Sequence, residues 1–356
     1  MKEIKESLVN KKVIVTGGAG FIGSALIRHL LLNSSATIIN IDKISYASHL
    51  DSIDNLIKNE QNSISISRYK LLKIDLSNKN KIIEAVLNIK PNFIIHLAAE
   101  SHVDKSISSP EVFIQSNIVG TFNILEASRF YFESLNQLEK KFFRFHHVST
   151  DEVYGSADHG LFFNETSLYD PRSPYSASKA SSDHLVNAWF HTYGLPITLS
   201  NCSNNFGPWQ YPEKLIPLAI TNALNNRKIP LYGSGDNIRD WLYVDDHIDA
   251  ILKVILFGRV GEKYCIGAKN EKKNIDVLFE ICDILDNLKP RGESYRNLIT
   301  KVNDRPGHDK RYAIDPTKLS NELNWRPKET FSNSLFYTVN WYLKNEMWWK
   351  SKVNKN

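Results

Sequence analysis

Six short apolar runs punctuate the first 204 residues: KVIVTG (12–17), TIINID (37–42), YKLLKID (69–75), FIIHLAA (93–99), FRFHHVST (143–150) and PITLSNCSN (196–204). Their hydrophobic residues follow one another instead of alternating with polar ones, the pattern of parallel strands covered on both faces. Helical patterns near 22–33, 78–88, 109–132 and 174–193 lie between them. That order predicts an α/β fold, a Rossmann-type doubly wound parallel sheet.

Beyond residue 204 the rhythm changes. NNFGPWQYPEK reads as a loop with two prolines; a helix near 213–226, a short strand IPLY (229–232), the segment DWLYVDDH (240–247) and helices near 245–257 and 274–286 follow. The reading is an N-terminal extension over 1–10 with no evident role and a nucleotide-binding domain over 11–204 that also holds the catalytic residues. A smaller substrate lobe, mainly 205–345 and partly interleaved with the first, caps the carboxyl edge of the sheet. The tail, 346–356, is expected to fray along KSKVNKN.

Composition narrows the function class without naming one. Hydrophobic residues make up 42% and charged residues 23%, ordinary for a globular enzyme. A formal charge of +5 is mild for 356 residues, and no stretch gathers its cations into a tail, so a nucleic-acid partner is not expected. Cys202, Cys265 and Cys282 are odd in number and widely spaced, which argues against a disulfide framework and a zinc site. MKEIKESLVN carries charges where a signal peptide needs an apolar core, and no window approaches 18 uninterrupted apolar residues. A cytoplasmic protein without a membrane partner or a metal is expected.

VIVTGGAGFIGSALIRHLL (13–31) places Gly18-x-Gly20-x-x-Gly23, preceded by Gly17, after a strand and at the start of a helix. Such glycines allow a tight turn, a close approach to a pyrophosphate and tight helix–strand packing. Asp42 ends the second strand, where a carboxylate accepts bonds from ribose hydroxyls and repels a 2′-phosphate; NAD is favoured over NADP. Asp75, Ala98 and Ala99 close further strands on that edge, small enough in the alanines for a flat cofactor to lie against the backbone.

SPYSASKAS (173–181) sets Tyr175 and Lys179 at i and i+4 on one helix face. A cation beside a phenol is expected to lower its pKa, so that it can take a hydroxyl proton. HVSTDEVYG (147–155) ends a strand with Thr150, Asp151 and Glu152. Neighbouring side chains on a strand point to opposite faces, so both acids can serve one ligand only if the chain leaves the strand at about Thr150.

With these motifs the chain resembles the extended short-chain dehydrogenases/reductases that act on nucleotide sugars, from about residue 11 to about 345. The resemblance is carried by TGGAGFIG (16–23), HLAAESHVDKSI (96–107), HVSTDEVYG, PYSASKASSDHLV (174–186), NCSNNFGPWQYPEKLIP (201–217), IRDWLYVDDH (238–247), IGAKNEKKNIDV (266–277) and DRPGHDKRYAID (304–315). Epimerases and decarboxylases of the family share the glycine turn and the Tyr/Lys pair but generally lack Thr-Asp-Glu, so the 4,6-dehydratases are the matching branch. Phe206 and Trp209 stand where the family more often has tyrosines.

The resemblance implies a dTDP-glucose substrate, bound NAD and a homodimer. Oxidation of the hexose at C4 acidifies the C5 hydrogen, and water then leaves across C5 and C6. Tyr175 with Lys179 would serve the oxidation, Thr150 would bond the sugar O4, Glu152 would be the base and Asp151, held protonated by burial and its neighbour, the acid. The cofactor positions it implies are Gly17, Gly20, Phe21, Ile22, Gly23, Asp42, Lys43, Ser45, Asp75, Leu76, Leu97, Ala98, Ala99, Ser116, Tyr175, Lys179 and Asn205. The substrate positions are Ser101, Thr150, Asn204, Lys214, Leu215, Pro230, Tyr232, Arg239, Asn274, Asp304, Arg305 and His308. A 4-epimerase, a dehydratase of UDP-, CDP- or GDP-sugars, and an NAD-sensing protein without chemistry stand as the alternatives.

Overall fold

The computed structural model describes residues 2–59 and 67–353. Seven parallel strands form the main sheet: β1 (Lys12–Thr16), β2 (Thr37–Asp42), β3 (Tyr69–Lys73), β4 (Phe93–His96), β5 (Arg144–Thr150), β6 (Ile197–Cys202) and, much later in the chain, β10 (Lys263–Ile266). Their order is β10-β6-β5-β4-β1-β2-β3. The switch between β1 and β4 opens a crevice at the carboxyl ends, where ligands of such sheets bind. Helices cover both faces, which is why the apolar runs are continuous. Val13, Val15, Leu26, Ile27, Val244 and Ile248 fill one layer, and Ile14, Ile94, Ile124, Phe145 and Ile197 the other.

Two smaller sheets build the lobe. β7 (Asn204–Phe206), β9 (Ile238–Tyr243) and β11 (Glu271–Lys273) form one, and β8 (Ile229–Tyr232) with β12 (Ile299–Val302) the other. Its core gathers Phe206, Ile220, Trp241, Ile281, Leu335 and Tyr342. The interleaving is extensive: the helix Val244–Phe257 packs on the main sheet before β10 joins the edge of β6.

Several expectations need correction. The strands end earlier than their apolar runs, at Lys73 and His96, because the residues beyond turn outward to line the crevice. The 109–132 helix is Pro110–Phe113 followed by a π-turn, Ile114–Val119, and then Gly120–Ser134. The tail is not frayed to its end: Glu346–Val353 is helical, with Trp349 fully buried, Trp348 Nε1 donating to Asp51 Oδ2 (3.0 Å) and Lys352 pairing with Asp51 (2.7 Å). Residues 354–356 lie outside the described residues. The N-terminal extension packs too: Lys2–Ser7 is helical, and Ile4 and Leu8 join the main core. Burial of each such side chain stabilises by about 1.5–3 kcal/mol.

Candidate active site

At the carboxyl edge of the sheet, between it and the lobe, lies a cleft of about 690 Å³. One end is a glycine cradle. Gly17 sits at φ +70°, and a Cβ there would meet the Ala98 backbone at 2.6 Å; on Gly23 it would lie 2.2 Å from the Gly17 carbonyl oxygen. Gly18 serves packing instead, since a Cβ would strike Asn40 Oδ1 at 2.4 Å. Gly20 caps the helix Phe21–Asn33, so the N–H groups of its first turn, which no intrahelical carbonyl can satisfy, face the cleft. Such a cradle fits a dinucleotide pyrophosphate.

Asp42 ends β2 beside it. Its carboxylate accepts from Ala19 N (3.0 Å), Ile44 N (2.7 Å) and Ser48 Oγ (3.3 Å). Burial pushes its pKa up while these bonds act against the shift. Lys43, Ser45, Asp75, Leu76, Leu97, Ala98, Ala99, Ser116 and Asn205 all line the same cleft. Lys43 is tied to Ser116 Oγ and Glu100 Oε1, both at 2.9 Å.

The other end is built from the close of β5. After Thr150 the chain turns into a 3₁₀ helix, Asp151–Tyr154, which brings both acids to the cleft. The Thr150 hydroxyl caps that turn, accepting from Glu152 N (3.3 Å) and donating to Asp151 Oδ1 (3.4 Å). Asp151 is buried, and its Oδ2 finds no hydrogen-bond partner among the described residues. Burial, then Glu152 and Asp240, raise its pKa well above the carboxylate range. Burial raises Glu152 as well, but Lys214, Arg305 and Arg239 oppose it. Both acids are thus raised; at Asp151 a neighbouring carboxylate adds to the rise, and at Glu152 cations act against it.

Tyr175 opens the helix Pro174–Tyr193, which starts with a Ser173/Ser176 capping box and Pro174 in its first turn. The expected lowering of its pKa by Lys179 is not what the structure gives. Burial, and next Glu152, hold the phenol well above its ordinary value, and a hydrogen bond with Thr150 acts the other way. The Lys179 ammonium is turned to the Val148 carbonyl (2.9 Å) and the His147 ring (3.5 Å).

Of the expected substrate positions, Ser101, Asn204, Lys214, Leu215, Pro230, Tyr232, Arg239, Asn274, Arg305 and His308 line the cleft. Asp304 does not; it holds the His308 ring, Oδ1 to Nδ1 at 2.6 Å, from outside. The Arg239 fork donates to the carbonyls of Ile238 (2.8 Å) and Asp309 (2.9 Å) and lies 4.1 Å over the Tyr312 ring. Lys214 donates to the Ser101 carbonyl (2.6 Å). The Oδ1 atoms of Asn204 and Asn274 are buried without a partner among the described residues.

Apart from Tyr232, sequence reading missed the groups that tie the two walls together. Tyr46 OH donates to Glu213 Oε1 (3.2 Å), Lys105 lies 3.7 Å from Glu213, and Tyr232 OH donates to Asp104 (3.3 Å). It also missed His147 and Asp183 behind Lys179. The signal for Asp183 was present: it continues the Tyr175/Lys179 spacing by four more residues.

The GDP-mannose 4,6 dehydratase family model matches residues 14–336. The dTDP-glucose 4,6-dehydratase of Salmonella typhimurium is 52% identical over 346 residues, which cover 95% of this chain and 94% of the relative. The crystal structure of a dTDP-glucose 4,6-dehydratase from Bacillus anthracis in complex with NAD superposes with a TM-score of 0.82 at 40% identity, covering 96% of this chain and 99% of that one. DesIV, a dTDP-glucose 4,6-dehydratase from Streptomyces venezuelae, also solved with NAD, gives 0.84 at 38% identity with the same coverage.

Proposed function

The chain belongs to the dTDP-glucose 4,6-dehydratase family of NAD-dependent hydro-lyases, and on that premise we propose how its residues divide the reaction. The enzyme converts dTDP-glucose to the 4-keto-6-deoxy sugar. NAD, when bound, supplies reversible hydride acceptance, taking from C4 and giving back at C6. The glycine cradle, with Asp42 at the ribose and Ala98 and Ala99 as a flat wall, is where this chain would hold it.

Tyr175 takes the proton of the C4 hydroxyl, and Thr150 holds that oxygen. With a ketone at C4, the C5 proton becomes acidic; Glu152 removes it while Asp151 protonates the departing C6 hydroxyl, and a proton returns to C5 when C6 is reduced. The observation that carries this division is the unequal surroundings of the two acids, both raised by burial. Asp151 is buried with a free Oδ2, whereas Glu152 faces three cations of the lobe. Arg305 and Lys214, with Arg239 fixed behind them, suit the diphosphate.

Turnover with dTDP-, UDP-, CDP- and GDP-glucose side by side tests the reading. Sugar NMR should show a C6 methyl from dTDP-glucose; an epimerase would leave C6 hydroxylated. We also propose a homodimer. The helices Gly120–Ser134 and Pro174–Tyr193 pack side by side, and Val112, Ile114, Phe130 and Tyr193 remain exposed on them and on the turn before. Light scattering at the mass of one 40.8 kDa chain would overturn that. No helix of the described residues is long and apolar enough to cross a membrane. The three cysteines are free and buried, which suits the reducing cytoplasm proposed here and is open to cell fractionation.

A further inference from the structure

We propose that Asp183 is the buried counter-ion of Lys179 and that His147 is the bracket holding the two together, a positioning pair for the oxidation step. The inference rests on the reading of Tyr175 above as the group that takes the C4 hydroxyl proton, with Lys179 as the cation on the same helix face. Tyr175, Lys179 and Asp183 recur every four residues along one helix, so they share a face, and that face lies against the carboxyl half of β5. His147 and Asp183 are both fully buried, with Nε2 3.1 Å from Asp183 Oδ1. The same Nε2 lies 3.5 Å from Lys179 Nζ.

Nε2 stands between a carboxylate oxygen and an ammonium; the neutral ring with its proton on Nε2 turns a donor toward Asp183 while the ammonium donates to Val148 O. Burial and Lys179 push the His147 ring down to about 4, in keeping with that neutral state. The other carboxylate oxygen, Oδ2, accepts from Tyr169 OH (2.8 Å), Ser149 Oγ (2.9 Å) and Asn201 Nδ2 (3.1 Å). Three donors converge on Oδ2 of a fully buried carboxylate whose Oδ1 has the His147 ring beside it, a built anion site rather than a chance pairing.

The groups acting on Lys179 are Asp183 from its own helix, His147 from β5, Cys202 from β6 and His96 from β4, with Tyr175 one turn earlier on the same helix. Burial keeps the Cys202 thiol, the Tyr175 phenol and the His96 ring uncharged, which leaves Asp183 as the formal negative charge of this set. Burial lowers the pKa of Lys179, and Asp183 is the first group acting to restore it. Without that carboxylate a buried ammonium gives up its proton more readily, and a neutral amine cannot support a phenolate.

Asp183→Asn tests this through the pH dependence of the oxidation step, followed as NADH absorbance in a single turnover. The working form of Lys179 is protonated, so activity is lost as pH rises through its pKa. The alkaline limb should move down by about one pH unit or more, a tenfold change in the ionisation equilibrium. Acetylation of Lys179 by acetic anhydride, read by peptide mass spectrometry, should show the same displacement of its midpoint. Asp183→Glu should return both toward the parent. A lower melting temperature with limb and midpoint unmoved would make Asp183 a structural residue and overturn the proposal. If Asp183→Asn does not fold, His147→Gln, whose amide N–H replaces the ring donor, should leave the limb in place, and His147→Leu should move it; equal behaviour of the two overturns it. Failure of the unaltered protein to form NADH would sink the dehydratase reading, while the labelling midpoint still decides Asp183.

Discussion

Replacing Glu152 with Gln separates oxidation from elimination. The amide keeps the shape of the side chain and removes its charge, so C5 proton removal should lose what a general base supplies, about 10²–10⁴-fold. At 1.36 kcal/mol per decade this is about 3–5 kcal/mol of barrier. The oxidation should respond in the opposite sense. Glu152 is, after burial, the largest cause holding the Tyr175 phenol up, so its neutralisation makes that phenol easier to ionise. It is also the first charge raising Asp151, whose acid form weakens accordingly. The variant should therefore oxidise C4 at least as fast as the parent and then stall with NADH and a 4-keto sugar still bound. Stopped-flow mixing with dTDP-glucose should show absorbance near 340 nm that rises and persists, where the parent shows a transient. Normal turnover by the variant would refute the base assignment. A persistent signal in Tyr175→Phe together with none in Glu152→Gln would show that the two roles are interchanged.

Three further outcomes are expected. Gly23→Ala should yield protein whose acid supernatant releases little nucleotide absorbing at 260 nm, because a Cβ would stand 2.2 Å from the Gly17 carbonyl; full release would contradict the cradle. A chain ended after Asn345 should lose about 3–5 kcal/mol in urea unfolding, the scale of deleting one buried Trp such as Trp349; an unchanged midpoint would mean the helix contributes nothing. His146 is buried and its pKa is pushed down to about 3, below its unfolded 6.5, so the stability it confers is complete above 6.5 and is lost as pH falls toward 3. Relative to His146→Gln, the parent should therefore weaken between pH 7.5 and 5.5, by up to about 1.4 kcal/mol per pH unit below 6.5, and a constant gap would refute the burial argument.

The first six strands of the main sheet and the glycine turn were legible because they depend on short-range pattern, whereas β10 was not read. Continuous apolar runs are what a sheet covered on both faces needs, and a strand–glycine–helix passage has few other uses. The departure of the chain at Thr150 was legible too, since side-chain alternation forbids two neighbouring acids from sharing a ligand on one strand. Other features depend on partners distant in sequence. Residues 346–353 carry almost no amphipathic signal, and their order comes from Trp348 and Trp349 meeting Asp51 and Tyr342. The helix Gln137–Phe142 has a capping box, Asn136 with Glu139, but buries none of its side chains and so offers no apolar stripe to read. The i, i+4 spacing put Lys179 and Tyr175 on one helix, and both line the cleft; it could not reveal that the ammonium reaches the Val148 carbonyl and the His147 ring.

The late arrival of β10 limits how this protein can be rebuilt. A chain cut at 204 would keep the whole glycine turn and the segments that carry Thr150, Asp151, Glu152 and Tyr175, yet leave β6 as a raw edge and strip the helix Val244–Phe257 from Leu26 and Ile27. Exposed edge strands recruit other chains. Grafting a foreign lobe onto this sheet would thus invite aggregation before it altered specificity. Diversification toward other nucleotide bases is steered instead to point changes in the segments around 204–215, 230–239 and 304–308, which frame the cleft without taking part in the main sheet.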